Sequence, residues 1–136
     1  MSEDIEPNRT REVVQICGNT VRRGNIEVRL SGPDKAGALD ERPGTDILIG
    51  DPLAVGCRGN VVKRGDIKVV RNFADIEFVL RGNTIKKGDL VVSQNTGPAP
   101  KLVQDNTGGD RFTCRKNSLL TARGNTGWDR MPRQCG

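Results

Sequence analysis

The sequence predicts an all-β fold: a short right-handed parallel β-helix, wound in coils of about 23 residues and braced by asparagine ladders. Three observations carry that prediction. An internal repeat aligns without gaps, asparagines recur through it at constant spacing, and apolar residues alternate with polar ones inside each copy.

The repeat is seen in Gly18-Asn19-Thr20-Val21-Arg22-Arg23-Gly24-Asn25-Ile26-Glu27-Val28. It returns as Gly59-Asn60-Val61-Val62-Lys63-Arg64-Gly65-Asp66-Ile67-Lys68-Val69 and as Gly82-Asn83-Thr84-Ile85-Lys86-Lys87-Gly88-Asp89-Leu90-Val91-Val92. Asn60, Asn83 and Asn106 follow one another at 23 residues. A second series, Asn72, Asn95 and Asn117, steps by 23 and then 22. Asn125, within Arg123-Gly124-Asn125-Thr126-Gly127, closes the pattern.

Within a copy, Val62, Ile67 and Val69 correspond to Ile85, Leu90 and Val92, a period of two that marks strands with one buried face. A glycine divides two short strands in every copy, where the chain must turn a corner. Stacked in register at ~4.8 Å, equivalent residues of successive coils form columns. The two asparagine series then become ladders whose amides hydrogen-bond along the stack. Asparagine also tolerates the left-handed backbone of a corner. These residues are expected to be structural rather than ligand-binding.

Asn19 to Asn60 spans 41 residues, nearly two coils. It contains the polar, Gly- and Pro-bearing stretch Ser31 to Gly44, read as a loop thrown out over 31–45, after which Asp46-Ile47-Leu48-Ile49 restores a strand. The expected organisation is a polar N-terminal arm, 1–12, and a single β-helix domain, 13–136.

Composition agrees with such a fold and narrows the chemistry. The 136 residues include 17 Gly but no His or Tyr, and the aromatics are Phe73, Phe78, Phe112 and Trp128. No stretch approaches the ~20 apolar residues of a membrane helix, so no membrane span is expected. Cys17, Cys57, Cys114 and Cys135 form no C-x-x-C pair, and a zinc site would need all four thiolates from distant places. Disulfides, and with them an oxidising compartment, are the better reading. Met1 to Thr10 is polar and acidic and lacks the apolar core of a secretory signal. The expectation is therefore a secreted or cell-surface protein in mature form carrying a start Met.

The phrases Asn95-Thr96-Gly97-Pro98, Phe112-Thr113-Cys114-Arg115-Lys116-Asn117 and Gly124-Asn125-Thr126-Gly127, with the closing Gln134-Cys135, resemble the small secreted Gly-Asn-Thr repeat proteins of actinobacteria. The resemblance covers about Cys17 to Cys135; the loop from Ser31 to Gly44 and the high charge depart from that group's blander repeats. It implies that the last two cysteines close a C-terminal cap, Cys114 with Cys135, leaving Cys17 to Cys57.

Without histidine, Ser-His-Asp and Cys-His catalysis are excluded unless a lysine served as base. Asp66 and Asp89 share one position in adjacent coils and could pair as in carbohydrate-active β-helix enzymes, but each follows a turn glycine beside basic neighbours. Asn106-Thr107-Gly108-Gly109-Asp110 does not complete a calcium β-roll motif. Arg64-Gly65-Asp66 matches the integrin tripeptide, yet its counterparts Arg23-Gly24-Asn25 and Lys87-Gly88-Asp89 mark it as a repeated turn. No metal or cofactor is expected.

The basic residues carry the strongest functional signal. Arg22 with Arg23, Lys63 with Arg64, and Lys86 with Lys87 fall three and four residues after the repeat asparagine. Stacking makes them one exposed ridge, with Arg58, Arg81 and Arg123 on a neighbouring column. Like charges at coil spacing repel and invite a polyanion, such as an anionic polysaccharide or cell-envelope polymer. The competing reading is that Asn25, Asp66 and Asp89 partly neutralise the ridge, whose charges then only keep the edge soluble; the net charge is a modest +5. Nucleic acid is unfavoured, because stacking aromatics are nearly absent. The expected function is a non-enzymatic extracellular binding or structural module. A small polysaccharide lyase or hydrolase and a self-stacking subunit are the alternatives.

Overall fold

The computed structural model describes residues 12–29, 45–50, 57–74 and 77–135. Its strands, in chain order, are β1 (Glu12–Ile16), β2 (Thr20–Val21), β3 (Ile26–Arg29), β4 (Thr45–Ile49), β5 (Val61–Arg64), β6 (Ile67–Val70), β7 (Phe78–Arg81), β8 (Thr84–Lys87), β9 (Asp89–Ser93), β10 (Lys101–Gln104), β11 (Arg111–Arg115) and β12 (Leu120–Arg123). A short 3-10 helix, Arg133–Cys135, follows.

The strands form three sheets, ordered β1-β4-β7-β10-β12, β2-β5-β8 and β3-β6-β9-β11. Every strand pair is parallel. Each coil visits the first, second and third sheet in the same order, so the molecule is a parallel β-helix with three faces. Single bridges continue the shorter sheets: Thr84 to Thr107 to Thr126 extends the second, and Arg111 to Arg130 the third.

The alternation within strands fills the interior. In the third sheet Ile26, Ile67, Leu90 and Phe112 stack as one inward column, and Val28, Val69, Val92 and Cys114 as another. In the first sheet Ile49, Leu80 and Val103 stack inward with no exposure. Each buried aliphatic side chain contributes roughly 1.5–3 kcal/mol, and stacking identical positions lets one residue type close-pack on itself rung after rung.

Both asparagine series are ladders. Nδ2 of Asn19, Asn60, Asn83 and Asn106 donates to Oδ1 of the next member, ending on Asn125, at 2.9–3.1 Å. Asn72, Asn95 and Asn117 do the same at 2.9 and 2.8 Å. The other amide hydrogen goes back to a strand carbonyl of the coil before, as from Asn83 to Ile49 at 2.8 Å. One point of conformation differs from expectation. Among the described residues the left-handed backbone belongs not to the ladder asparagines but to residues just before them: Gly18, Gly82, Asp105 and Gly124 in one series, Arg71, Gln94 and Lys116 in the other. At these seven positions the preceding residue turns the corner, and the asparagine's amide bonds along the stack.

The long first repeat is also shorter in space than its length suggested. Asn19 bonds directly to Asn60, so the 41 residues make one rung and not nearly two. β1 pairs with β4 at one end of that rung and Gly18 N–H meets the Arg58 carbonyl at the other, 2.9 Å away, so the surplus falls in 30–44 and 51–56. Both segments lie outside the described residues. So does the expected loop over 31–45 apart from Thr45, which opens β4, and the expected arm over 1–12 apart from Glu12, which opens β1.

Candidate binding face

The second sheet and the corner after it position the basic residues. β5 and β8 each show one half-buried, one buried and then two exposed positions, and the two exposed positions are the cation pairs. Arg64 pairs with Lys87, and its N–H donates to the Arg22 carbonyl at 3.1 Å. Parallel register therefore stacks Arg22, Lys63 and Lys86 in one column and Arg23, Arg64 and Lys87 in the next. All six side chains are exposed and together line one shallow, open furrow.

The corner glycines set how close these columns come. A Cβ on Gly65 would overlap the carbonyl oxygen of Gly24, and one on Gly88 that of Gly65. Only glycine allows the coils to close to strand spacing there, with φ of 143° and 140°. Arg64-Gly65-Asp66 is this packed turn.

The acidic residues beyond the corner face a different task. Asn25 Oδ1 accepts the N–H of Asp66 at 2.8 Å, Asp66 Oδ1 that of Asp89 at 2.9 Å, and Asp89 Oδ1 that of Arg111 at 3.2 Å. This is a third column, of reversed polarity; the sequence reading placed Asp66 and Asp89 at one position in adjacent coils but did not foresee these bonds to backbone N–H. Asp66 also lies 3.7 Å from Lys68. Among the described residues no carboxylate lies within 4 Å of any of the six furrow cations. Arg58, Arg81 and Arg123 do not make a continuous basic column, because Gln104 stands between Arg81 and Arg123 and receives a bond from Arg81 Nη2 at 3.4 Å.

At the C-terminal end Cys114 is bonded to Cys135, and near the start Cys17 to Cys57, the pairing that the resemblance implied. Cys57 opens a described stretch, and its bridge ties that stretch to the residue that follows β1. Trp128 fills the space that a side chain at Gly108 would take and packs on Phe112, ring centroids 5.5 Å apart. Asn125 Nδ2 closes the ladder on the Cys135 carbonyl at 2.9 Å.

Lys101 is the residue least foreseen. It stands in the inward column Ile47, Phe78, Lys101, Leu120 and has no exposure. Its three ammonium hydrogens have three acceptors: the Ala99 carbonyl at 2.8 Å, the Gly97 carbonyl at 3.0 Å and Ser118 Oγ at 3.1 Å. Burial holds its pKa below the ordinary 10.5, since no carboxylate compensates the lost hydration. The amine pins the corner between β9 and β10.

Among the described residues no group of three or more Cys, Asp or Glu side chains is placed to hold a metal ion, and no helix is long and apolar enough to cross a membrane. No known family, curated protein or solved structure matches this chain.

Proposed function

We propose that the protein is a non-catalytic extracellular β-helix module that holds an anionic polymer in the furrow of Arg22, Arg23, Lys63, Arg64, Lys86 and Lys87. One observation carries this reading: six exposed cations converge on one furrow, and among the described residues no carboxylate neutralises them. A rigid backbone fixes their spacing, so a bound polyanion releases counterions without the side chains having to be gathered first. Two disulfides support an oxidising, extracellular setting, as does the resemblance to secreted Gly-Asn-Thr repeat proteins. Asp66 and Asp89 support the non-catalytic part, because each spends a carboxylate oxygen on a backbone N–H of the next coil.

The test is retention on heparin or teichoic acid of the wild type against a variant with Lys63, Arg64, Lys86 and Lys87 changed to Ser. The wild type is expected to bind with steep salt dependence, each lost contact lowering the log–log slope by roughly 0.7–0.9 on the nucleic-acid scale. Equal retention of the two proteins refutes the furrow as an electrostatic site.

A further inference from the structure

The cations occupy one side of the second sheet's outer face. Beside them runs a column of another chemistry. Thr20 pairs with Val61, Val61 with Thr84, Thr84 with Thr107 and Thr107 with Thr126, so five successive coils place Thr, Val, Thr, Thr and Thr at one position. The position faces outward: Thr20, Thr107 and Thr126 are exposed and Thr84 is half-buried, whereas the next residue in β8, Ile85, is 1% exposed. Among the described residues nothing engages the hydroxyl of any of the four threonines. Their backbones are fixed, since the N–H of Thr84, Thr107 and Thr126 donates to the Asn carbonyl of the coil before at 2.8–3.0 Å.

Thr84 and Lys86 are two residues apart on one strand, so the hydroxyl and cation columns lie about 6.6 Å apart and run parallel to the helix axis. Four rung steps of ~4.8 Å carry the hydroxyls along about 19 Å, and the cations flank the first three coils. Threonine in a strand is restricted at χ1, so these hydroxyls lose little freedom when they bind.

A ligand that uses the whole face is linear, carries negative charge, and meets hydroxyls that both donate and accept with hydroxyl groups of its own. We infer that the outer face of the second sheet binds an acidic polysaccharide laid along the solenoid axis. Its anionic groups sit on the two cation columns, and its sugar hydroxyls exchange hydrogen bonds with Thr20, Thr84, Thr107 and Thr126. This rests on the polyanion reading and adds to it a polymer class, an orientation and four binding residues. Val61 is the apolar gap in the column. A polyphosphate can accept from the threonine hydroxyls but has no hydroxyls to donate back, so it should depend mainly on the cations and gain less from the threonines than a polysaccharide does.

The experiment measures binding of heparin, polygalacturonate and linear polyphosphate at one fixed ionic strength. The proteins are the wild type, the isosteric triple variant Thr84→Val/Thr107→Val/Thr126→Val, the single variant Val61→Thr and the four-site Ser variant of the furrow. The triple Val variant is expected to lose about tenfold in affinity for a polysaccharide, whose hydroxyls both donate and accept, and less than about threefold for polyphosphate, which only accepts. Val61→Thr, which fills the gap, is expected to tighten polysaccharide binding about twofold to threefold. Unchanged polysaccharide binding by the triple variant, or equal losses for all three polymers, overturns the threonine column while leaving the furrow standing. A furrow variant that binds all three like the wild type overturns the furrow itself, a result distinct from either. Circular dichroism of each variant confirms that the helix is intact, and Val61→Thr gives a gain of function that misfolding does not mimic.

Discussion

Replacing Asn83 by alanine removes the middle of the longer ladder, and the structure sets the size of the effect. Asn83 is 1% exposed. Its Nδ2 donates to the Ile49 carbonyl at 2.8 Å and to Asn106 Oδ1 at 3.0 Å. Its Oδ1 accepts the Asn60 N–H at 3.0 Å and Asn60 Nδ2 at 2.9 Å. Alanine leaves the backbone N–H of Asn60 and one of its amide hydrogens buried without acceptors, at about 1–3 kcal/mol each. Asn106 Oδ1 still receives the backbone N–H of residue 83. With the lost bond to Ile49 the sum is about 3–7 kcal/mol, a large part of the 5–15 kcal/mol that holds a domain together.

Asn19 provides the control. It is exposed and begins the ladder, and Asn60 Oδ1 keeps the Asn19 backbone N–H whatever the side chain. Asn19→Ala should therefore cost less than about 1 kcal/mol. Urea unfolding followed by Trp128 fluorescence reads both. With a slope near 2 kcal/mol/M, Asn83→Ala should lower the midpoint by about 1.5–3.5 M and Asn19→Ala by less than about 0.5 M. Equal shifts for the two, or a shift under about 0.5 M for Asn83→Ala, would refute the argument that buried, reciprocally bonded amides carry the stack.

Two further predictions concern the packing. Gly88→Ala forces a Cβ onto the Gly65 carbonyl oxygen at φ 140°, whereas at Gly24 the nearest atom is Val21 Cγ1 at 3.7 Å. Gly88→Ala should cost more than about 3 kcal/mol or abolish folding, and Gly24→Ala only the conformational strain of about 1–2 kcal/mol, as thermal melts will read. Lys101 makes stability depend on alkaline pH. The folded chain releases its proton at a lower pH than the unfolded chain, which holds it to about 10.5. The unfolded state thus binds more protons between the lowered pKa and 10.5, and this residue's contribution to stability rises with pH across that window. Lys101→Met should flatten the rise in urea titrations from pH 7 to 10.5, and an unchanged profile would show that the buried amine does not titrate with folding.

The period of 23 residues between Asn60 and Asn83 was enough to determine the coil, the two asparagine columns and which of Val62, Ile67 and Val69 face inward. A repeat imposes the same local geometry on every copy, so spacing along the chain becomes position in space. Where the spacing breaks, that translation fails. The 41 residues from Asn19 to Asn60 read as nearly two coils, yet only strand pairing decides that β1 lies directly against β4 and that Asn19 bonds Asn60 on the next rung. The bonding along the column of Asn25, Asp66 and Asp89 escaped notice because acceptors bonded to backbone N–H groups look, in sequence, like charged turns. Lys101 escaped because a lysine in an alternating strand reads as surface, and its burial depends on two carbonyls and a hydroxyl delivered by the corner at Gly97 and by Ser118. The furrow divides between the two levels. Charge and period make the cation pairs visible in the sequence, but only the stacked sheet brings the six cations to one face, side by side with a row of threonines. Each of the first three coils carries two of these cations and each coil at most one of these hydroxyls, and it is the repetition at ~4.8 Å that turns them into a surface.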